Sequence, residues 1–319
     1  MQAYTLIAPA KINLYLEIIG DRPDGYHELV MILQSIDLAD RLELQANGTQ
    51  QFRLFCDHPQ VPNDSTNLVL RAASLMAEAF PEAYANFGAI NIKLDKQIPV
   101  AAGLAGGSTD AAAMLLGLDL IWDLGLTQSE LQGLGAKLGS DVPFFLAGGT
   151  AIATGRGEQI DPIRDLDNLW IVLGKYNQLA ISTPWAYQTY REQFGEQYVN
   201  EPDSIASRAL RVHSGPLVKS IMQQDPQQIG QMLHNDLEKV ALTQYPQIQQ
   251  LRLVMEEAGG LGTMMSGSGP TVFTLCQSQA EAETLQQKIQ TTLIDPELEF
   301  WVAKLTNQGI IIENPTLSL

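Results

Sequence analysis

The chain of 319 residues has few cysteines and no long apolar run. It contains two cysteines, Cys56 and Cys276, too few for a disulfide framework in a chain of this length. We therefore expect two buried, inert thiols in a reducing compartment. No apolar stretch approaches the roughly 20 residues that a membrane-spanning helix needs. The first residues lack a basic leader and predict a strand, so we expect a cytoplasmic protein, or a stromal one if this is a mature plastid form.

Basic side chains are also scarce. There are 19 Lys and Arg against 36 Asp and Glu, which gives a formal net charge of −17. Such a surface excludes non-specific binding to nucleic acid or to anionic membranes, because both need a cationic surface. A small anionic ligand is still possible, since a few backbone amides and one lysine can hold it locally. Hydrophobic content of 45% with 17% charged residues is typical of a folded globular chain.

The pattern of elements predicts an α+β fold in two halves, residues 1–160 and 161–319. Alternating segments in the first sixty residues predict a mostly antiparallel sheet: "YTLIAPAKINLYLEII", "LVMILQSI", "DRLELQA" and "QFRLFC". A helix is expected after the candidate caps Asp64, Ser65 and Thr66, and another in "TQSELQGLGAKLG". "SDVPFFLAGGTAIATGRGEQI" predicts two short strands around a glycine turn. The second half is more helical, with "IGQMLHNDLEKVAL" expected as one helix.

The segment "PVAAGLAGGSTDAAA", residues 99–113, is rich in glycine and alanine. It follows a predicted strand and leads into a helix, so its backbone amides and the helix dipole can converge on an anion. Ser108 and Thr109 can cap this helix or offer hydroxyls to a phosphate or a magnesium ion. The segment has neither the Lys-Ser/Thr pair of a Walker A motif nor a spaced GxGxxG. A tight turn without a ligand remains the alternative.

Two further segments have an unusual composition. In "MMSGSGPTVF" Gly267, Ser268 and Gly269 crowd the start of a strand, and a plain glycine turn is the alternative. In "PAKINLYL" Lys11 and Asn13 are two residues apart, so in a regular strand they project from one face, together with Tyr15. Polar groups that face the interior need hydrogen-bond partners or have a functional role. Solvated edge residues are the alternative.

Asp141 in "KLGSDVPFF" lies between a predicted helix end and an apolar segment expected to be a strand. Such a carboxylate commonly caps or forms a turn. Together with an amide-lined loop and a lysine, however, it completes the set of groups for phosphoryl transfer to a hydroxyl. Asp141 could accept or orient the hydroxyl proton, while Lys11 stabilises the developing alkoxide and keeps Asp141 ionised.

These three segments resemble the motifs of the GHMP kinase family. "PAKINLYL" resembles the first motif, "PVAAGLAGGSTDAAA" the phosphate loop and "MMSGSGPTVF" the third motif, in the expected order from residue 8 to residue 273. The resemblance implies a two-domain fold, with an N-terminal half like ribosomal protein S5 domain 2 and a ferredoxin-like C-terminal half. The active site is then expected in the cleft between the halves.

Within the family, "RPDGYHEL" followed by "GSDVPFF" is similar to members that act on a CDP-linked sugar alcohol, and we do not expect this pair in homoserine or mevalonate kinases. The resemblance implies ATP-dependent phosphorylation of the 2-hydroxyl of CDP-methylerythritol, a step of the non-mevalonate isoprenoid precursor pathway. Another small alcohol such as homoserine is the alternative substrate. A catalytically silent nucleotide-binding protein is a third possibility, against which the retained Lys11 and Asp141 speak.

The resemblance assigns roles residue by residue. Lys11 and Asp141 match the catalytic pair, and Asn13 matches a substrate contact near the hydroxyl. Tyr26 and His27 match the cytidine-binding turn, and Tyr187, with Trp185 as competitor, matches the aromatic ring on the other face of the base. The residues that match the ATP phosphate loop are Pro99, Val100, Ala101, Ala102, Gly103, Leu104, Ala105, Gly106, Gly107, Ser108 and Thr109.

One position of the phosphate loop departs from the usual family pattern, with Ala105 where glycine is common. We expect Ala105 either to have a negative φ or to point its methyl group away from the phosphates. Mg²⁺ is expected with ATP. Ser108 is the candidate ligand, and no carboxylate partner is assigned. No oligomeric state is predicted, and no partner is expected beyond the small-molecule substrates.

Overall fold

The computed structural model describes residues 3–199 and 201–313. Two sheets organise these residues. The strands of the larger sheet are β1 Ala3–Asp21, β2 His27–Ala46, β3 Arg53–Phe55, β4 Ile90–Asp95, β5 Thr150–Thr154, β6 Gln159–Pro162, β8 His234–Asn235 and β12 Ile311–Glu313. The smaller sheet contains β7 Trp170–Tyr176, β9 Gly262–Met265, β10 Val272–Cys276 and β11 Leu298–Lys304. The predicted α+β class is confirmed.

Twelve α-helices are described within these ranges. They are α1 Leu68–Ala79, α2 Pro81–Phe87, α3 Gly106–Trp122, α4 Gln128–Leu138, α5 Val142–Ala147, α6 Thr183–Phe194, α7 Pro202–His213, α8 Pro216–Gln223, α9 Pro226–Gln231, α10 Glu238–Gln244, α11 Pro246–Ala258 and α12 Gln279–Thr292. Helix α4 begins with the capping box of Thr127 and Glu130 and ends at Gly139. Helix α1 is capped by Asn67, not by the three preceding candidates, because the Asn67 side chain accepts from the Val69 amide.

The larger sheet runs in the order β12-β1-β2-β4-β3, with β5 and β6 continuing from β2 and β8 lying parallel to β1. Strand β2 is continuous, whereas the sequence predicted separate strands for "LVMILQSI" and "DRLELQA". The register shift opposite Pro9 and Ala10 takes up the intervening residues, because Pro9 pairs with Ala39 and Ala10 with Ile36. Segments from the second half of the chain, β8 and β12, complete this sheet. The division into 1–160 and 161–319 stays a prediction.

A bulge at Leu14 changes which face of the sheet each side chain of β1 occupies. Asn13 pairs with Leu33 while Tyr15 pairs with Ile32, so Leu14 is the extra residue. Leu33 and Ile32 are consecutive residues of β2 and so face opposite sides of the sheet. Their partners Asn13 and Tyr15 therefore face opposite sides as well. The expectation that Tyr15 shares the face of Lys11 and Asn13 is wrong. Its ring lies 5.2 Å from that of His234, on the other side.

The smaller sheet is fully antiparallel, in the order β11-β7-β10-β9. Helices α11 and α12 pack on it.

Cys276 in β10 and Cys56 are both buried free thiols, as expected. Among the described residues, no helix is long and apolar enough to cross a bilayer.

Three other local predictions differ from the structure. "VPFFLA" forms helix α5 and not a strand, with Phe144 and Phe145 both fully buried. "IGQMLHNDLEKVAL" is divided between α9, β8 and α10, because Asn235 pairs with β1. The helix that follows the predicted phosphate loop was expected from Asp110, but α3 begins at Gly106. The last four residues of the predicted loop, 106–109, are therefore already helical.

Candidate active site

A cavity of about 910 Å³ lies where the glycine-rich segments meet the face of β1 that carries Lys11 and Asn13. All the segments singled out in the sequence contribute to its wall. The lining residues include Lys11, Asn13, Tyr26, His27, Pro99, Val100, Ala101, Ala102, Gly103, Ala105, Gly106, Gly107, Ser108, Asp141, Tyr187, Gly267, Ser268 and Gly269. Leu104 and Thr109 of the predicted loop are instead fully buried behind the wall. Trp185 does not line the cavity but packs edge-to-face on Tyr245.

The segment before α3 has the backbone of an anion-binding loop. Ala101, Gly103 and Ala105 have positive φ values of 51°, 76° and 57°. Alternation of such residues with ordinary ones turns successive amides toward one side. Ala105 occupies the N-cap position of α3 and makes no side-chain cap hydrogen bond. The first turn of the helix is thus without a side-chain cap, and its N-terminal dipole faces the cavity.

Two expectations about this loop are corrected. Ala105 does not have a negative φ. Its side chain packs against the hydrophobic core and also lines the cavity, so the second alternative, a methyl group that points away from the phosphates, stays a prediction. Ser108 and Thr109 do not cap the helix, because their amides donate to the Ala105 carbonyl from inside the first turn. Ser108 lines the cavity, whereas the Thr109 hydroxyl is buried without a partner among the described residues.

The loop at residues 266–269 packs directly against the loop at 99–105. Ser266 Oγ donates to the Gly103 carbonyl at 3.1 Å. A Cβ on Gly103 would lie 2.3 Å from the Ser266 carbonyl oxygen, so a side chain there would force the loops apart. The Ser268 hydroxyl lies 2.9 Å from that of Thr183. The two loops therefore form one continuous wall of the cavity.

Lys11 and Asn13 are neither solvated nor at an edge. Their exposed fractions are 4% and 1%, and Lys11 Nζ donates to Asn13 Oδ1 at 2.6 Å. Burial lowers the pKa of the Lys11 ammonium, and the Asp141 carboxylate partly offsets this effect. A Cβ on Gly267 would lie 3.3 Å from both Lys11 Nζ and Asn13 Oδ1. The third glycine loop thus lies against the head groups of this pair.

Asp141 faces the cavity from the start of α5. It occupies the N-cap position with φ −81° and ψ −16°, yet its side chain makes no cap hydrogen bond. The capping role that a carboxylate commonly has at a turn is therefore not realised here. Asp141 lines the same cavity as Lys11, and its negative charge favours the protonated form of the lysine. The arrangement places a carboxylate near a buried cation in one cavity, so Asp141 and Lys11 stay the predicted catalytic pair.

Aromatic rings line a second part of the cavity. Tyr26 is 51% exposed, while His27 is buried and its ring lies 5.1 Å from that of Tyr187. His27 Nε2 has no hydrogen-bond partner among the described residues. Burial, with the nearby Arg191 charge, lowers the pKa of His27, so its imidazole is neutral at neutral pH. An exposed ring beside an unsatisfied imidazole nitrogen suits a flat polar heterocycle.

Sequence reasoning missed several residues that hold the site together. Asn235 Nδ2 donates to the carbonyls of Met265 and Gly267, both at 2.8 Å, and so anchors the third glycine loop to β8. Asn235 lay inside a predicted helix, "IGQMLHNDLEKVAL", and nothing in that pattern set it apart from the polar residues around it. Lys96, just before the predicted phosphate loop, forms a buried ion pair with Asp40, and its Nζ also lies 2.9 Å from Oδ2 of the buried Asp110 carboxyl group. The charged residues in the alternating segment "INIKLDKQI" could have indicated that Lys96 has a buried partner.

The described residues contain no group of three or more His, Cys, Asp or Glu side chains that could hold a metal ion. A Mg²⁺ ion that arrives on a triphosphate keeps several waters and needs only one or two protein ligands. The hydroxyl of Ser108 at the first turn of α3 and the carboxylate of Asp141 both line the cavity. This donor set fits an ion carried in by the nucleotide.

The sequence profile of the GHMP kinases N terminal domain matches residues 67–149, and that of the GHMP kinases C terminal domain matches residues 217–295. The chain belongs to the GHMP kinase family. It is similar to the 4-diphosphocytidyl-2-C-methyl-D-erythritol kinase of Gloeothece citriformis, with 64% identity over 313 residues, 98% of this chain and 99% of the relative.

Solved structures agree with this family membership. A crystal structure of 4-(cytidine 5'-diphospho)-2C-methyl-D-erythritol kinase has a TM-score of 0.72 at 30% identity and covers 94% of this chain and 98% of its own. Homoserine kinase from Cytophaga hutchinsonii has a TM-score of 0.75 at 18% identity and covers 98% of both chains. The second likeness shows the fold alone. The predicted GHMP kinase fold is confirmed.

Proposed function

We propose that this protein is the ATP-dependent kinase that phosphorylates the 2-hydroxyl of 4-diphosphocytidyl-2-C-methyl-D-erythritol, a step of the non-mevalonate isoprenoid precursor pathway. One observation carries the proposal. The aromatic rings, the Lys11–Asp141 pair and the loop at residues 99–105 all open into one cavity. Such a cavity can hold a base, a reacting alcohol and a nucleotide triphosphate together. The names of relatives that match nearly the whole chain support the same substrate.

The nucleotide is proposed to bind along the loop at residues 99–105 and the start of α3. Backbone amides and the helix dipole hold the phosphates, since the overall charge of −17 offers no attraction of its own. The positive φ of Gly103 brings the backbone close to a ligand without a side chain in the way. Bound Mg²⁺ would neutralise charge on the phosphates, with Ser108 as its proposed protein ligand.

The alcohol end is proposed to react between Lys11 and Asp141. The substrate oxygen attacks the γ-phosphorus, a new P–O bond forms, and the bond to the β–γ bridging oxygen breaks to release ADP. The hydroxyl proton passes to the Asp141 carboxylate. Lys11, held by Asn13 at 2.6 Å, stabilises the negative charge on the attacking oxygen.

The cytosine is proposed to stack between Tyr26 and Tyr187, with the His27 ring beside it. Tyr187 rather than Trp185 faces this part of the cavity, and Trp185 is engaged by Tyr245. The unsatisfied Nε2 of the neutral His27 is available to a base edge. Homoserine, the alternative substrate, has no aromatic part that would use these rings.

A coupled kinase assay with 4-diphosphocytidyl-2-C-methyl-D-erythritol and ATP tests the proposal. We expect ATP-dependent turnover with the CDP-alcohol and none with homoserine at the same concentration. Turnover with homoserine alone would contradict the proposed substrate. Binding of ATP without turnover of either compound would favour a nucleotide-binding protein without catalytic activity.

A further inference from the structure

The segment "HNDLE", residues 234–238, joins the strand that carries Lys11 to the third glycine loop. Its first two residues form β8, which pairs in parallel with β1. The Asp236 amide donates to the Leu16 carbonyl at 3.0 Å, and Asp236 Oδ2 accepts from the Ile18 amide at 2.9 Å. The described residues that line the active-site cavity include none from this segment. The segment is therefore fixed to β1 from outside the cavity.

Asn235 uses both ends of its side-chain amide. Nδ2 donates to the carbonyls of Met265 and Gly267, both at 2.8 Å, and Oδ1 accepts from the Leu237 amide at 3.0 Å. The residue is buried. An amide nitrogen has two N–H donors, whereas a carboxylate or an aliphatic side chain has none to offer the two carbonyls. Asn235 therefore fastens the third glycine loop to β8 at two points.

The loop that Asn235 holds covers the head group of Lys11. Gly267 has a positive φ of 56°, and a Cβ there would lie 3.3 Å from both Lys11 Nζ and Asn13 Oδ1. The Gly267 backbone is therefore close to the ammonium group, with no side chain between them. Burial lowers the pKa of the Lys11 ammonium. Because Gly267 contributes to this burial, a shift of its backbone would admit water to the lysine.

We propose that Asn235 is a positioning residue for the phosphoryl transfer, one that holds the Gly267 backbone against the Lys11 ammonium group and so keeps this cation in place and away from water. The inference rests on the proposed function. A cation stabilises negative charge on an attacking oxygen best where it is preorganised and water is excluded. A misplacement of about 1 Å can cost about 10²-fold in rate, even when the mutated residue lies away from the reacting atoms. Asn235 lies behind the cavity wall and acts through Gly267 and Lys11.

A second attachment of the same region does not depend on Asn235. Glu238 Oε1 accepts from the Met265 amide at 2.8 Å and from Arg252 Nε at 3.0 Å. Strand β9 therefore stays attached to α10 when the Asn235 amide is lost, whereas Gly267 loses its bond to Asn235. Asn235→Leu should thus loosen the loop beside Lys11 without unfolding the protein.

Steady-state kinetics of Asn235→Leu with ATP and the CDP-alcohol tests this proposal on the full-length chain. Leucine adds no charge and cannot donate to the two carbonyls. We expect kcat to fall about tenfold or more while both KM values stay within about threefold, because the lost contact acts on the transition state. The alkaline limb of the kcat–pH profile, where Lys11 loses its proton, should move to higher pH, since water at the ammonium raises its pKa. The Asp141 charge, which also raises this pKa, is the same in both proteins.

Asn47→Leu is the matched control. The Asn47 amide donates to the Gln51 carbonyl at 3.0 Å and accepts from the Thr49 amide at 2.9 Å, in the turn after β2 and outside the cavity. Its loss should lower the melting temperature but leave kcat and its pH profile unchanged. Asn235→Gln keeps the amide on a longer side chain and should show a smaller loss of kcat with the same direction of pH shift. These two measurements on Asn235→Gln decide the matter if Asn235→Leu does not fold.

Three results would overturn the assignment. A kcat of Asn235→Leu within about twofold of the unmodified protein would mean that the loop does not need this anchor. A loss of kcat with the alkaline limb unmoved would mean that Asn235 only supports the fold, and a rise in KM alone would mean that it serves substrate binding. Failure of the unmodified protein to phosphorylate the CDP-alcohol would instead contradict the proposed function, so the two failures are distinguishable.

Discussion

Ser266 donates its hydroxyl hydrogen to the carbonyl of Gly103, and this bond joins two glycine loops that are 163 residues apart in the chain. Because a Cβ on Gly103 would lie 2.3 Å from the Ser266 carbonyl oxygen and φ is +76°, Gly103→Ala should displace the loop at residues 99–105, where ATP is proposed to bind. We expect the KM for ATP to rise about tenfold or more. Steady-state kinetics with varied ATP measures this. Gly133→Ala is the control, since a Cβ there meets nothing within 4 Å, and unchanged ATP kinetics in Gly103→Ala would contradict the role of this contact.

Replacement of Asp141 tests the proposed base. Asp141→Asn preserves the shape of the side chain but cannot accept the hydroxyl proton, so kcat should fall by about 10²–10⁴-fold. Its side chain makes no cap hydrogen bond, so the melting temperature should change little. ATP binding, measured by calorimetry, should persist. A kcat within a few-fold of the parent would contradict the mechanism.

Tyr26 and Tyr187 should contribute to the affinity for the cytosine base. Base stacking on an aromatic ring is worth about 1–3 kcal/mol per base, so Tyr26→Ala and Tyr187→Ala should each raise the Kd for cytidine about fivefold or more. Trp185→Ala is the matched control. Its ring packs on Tyr245 outside the cavity, and its loss should reduce stability but leave the Kd unchanged. The opposite pattern would identify Trp185 as the stacking ring.

Ala105→Gly should not destabilise the protein, because Ala105 is the N-cap of α3 and has a positive φ of 57°, which glycine adopts without strain. A left-handed alanine costs roughly 1–2 kcal/mol, which outweighs the added unfolded-state entropy of glycine, about 0.4–1 kcal/mol. We expect the free energy of unfolding to rise by up to about 1 kcal/mol in urea titrations. Ala113→Gly, within α3 and fully buried, should lower it by about 1 kcal/mol or more. A similar loss in both variants would contradict the strain at Ala105.

Asp110 should make stability depend on pH. Burial raises the pKa of its carboxyl to about 8, with the Lys96 charge opposing and the Asp40 charge adding to the shift. The native state therefore retains a proton that the unfolded chain has lost, and the free energy of unfolding falls as pH rises from about 5 to 8. Asp110→Asn removes this titration and keeps an acceptor for Lys96. Urea titrations across this range should show a smaller pH-dependent fall in the variant, and an identical slope would contradict the assignment.

Short-range spacing was enough to select Lys11, Asn13 and Asp141, because polar residues inside apolar segments stand out without knowledge of the fold. The glycine loops were found in the same way. Their roles in phosphoryl transfer were predicted from the chemistry of a lysine, a carboxylate and an amide-lined loop, whereas their assembly in one cleft was implied by the family resemblance.

The features that could not be predicted depend on contacts distant in sequence. The bulge at Leu14 places Tyr15 on the far face, and strand alternation alone cannot reveal an inserted residue. Phe144 and Phe145 fit either a buried strand or a buried helix, and the short apolar segment around them gave no means of choosing. Asn235 leaves its expected helix because β1 and the third glycine loop bind it.

The edge of β1 is completed by β8 at Tyr15 and Leu16 and by β12 at Thr5–Ile7. The strand that carries Lys11 is synthesised before its partner at residues 311–313, which follows almost 300 residues later in the chain. Until then its backbone groups at Thr5–Ile7 lack that partner and can pair with another chain. A fragment of residues 1–160, which lacks both β8 and β12, should therefore aggregate more readily than the whole chain.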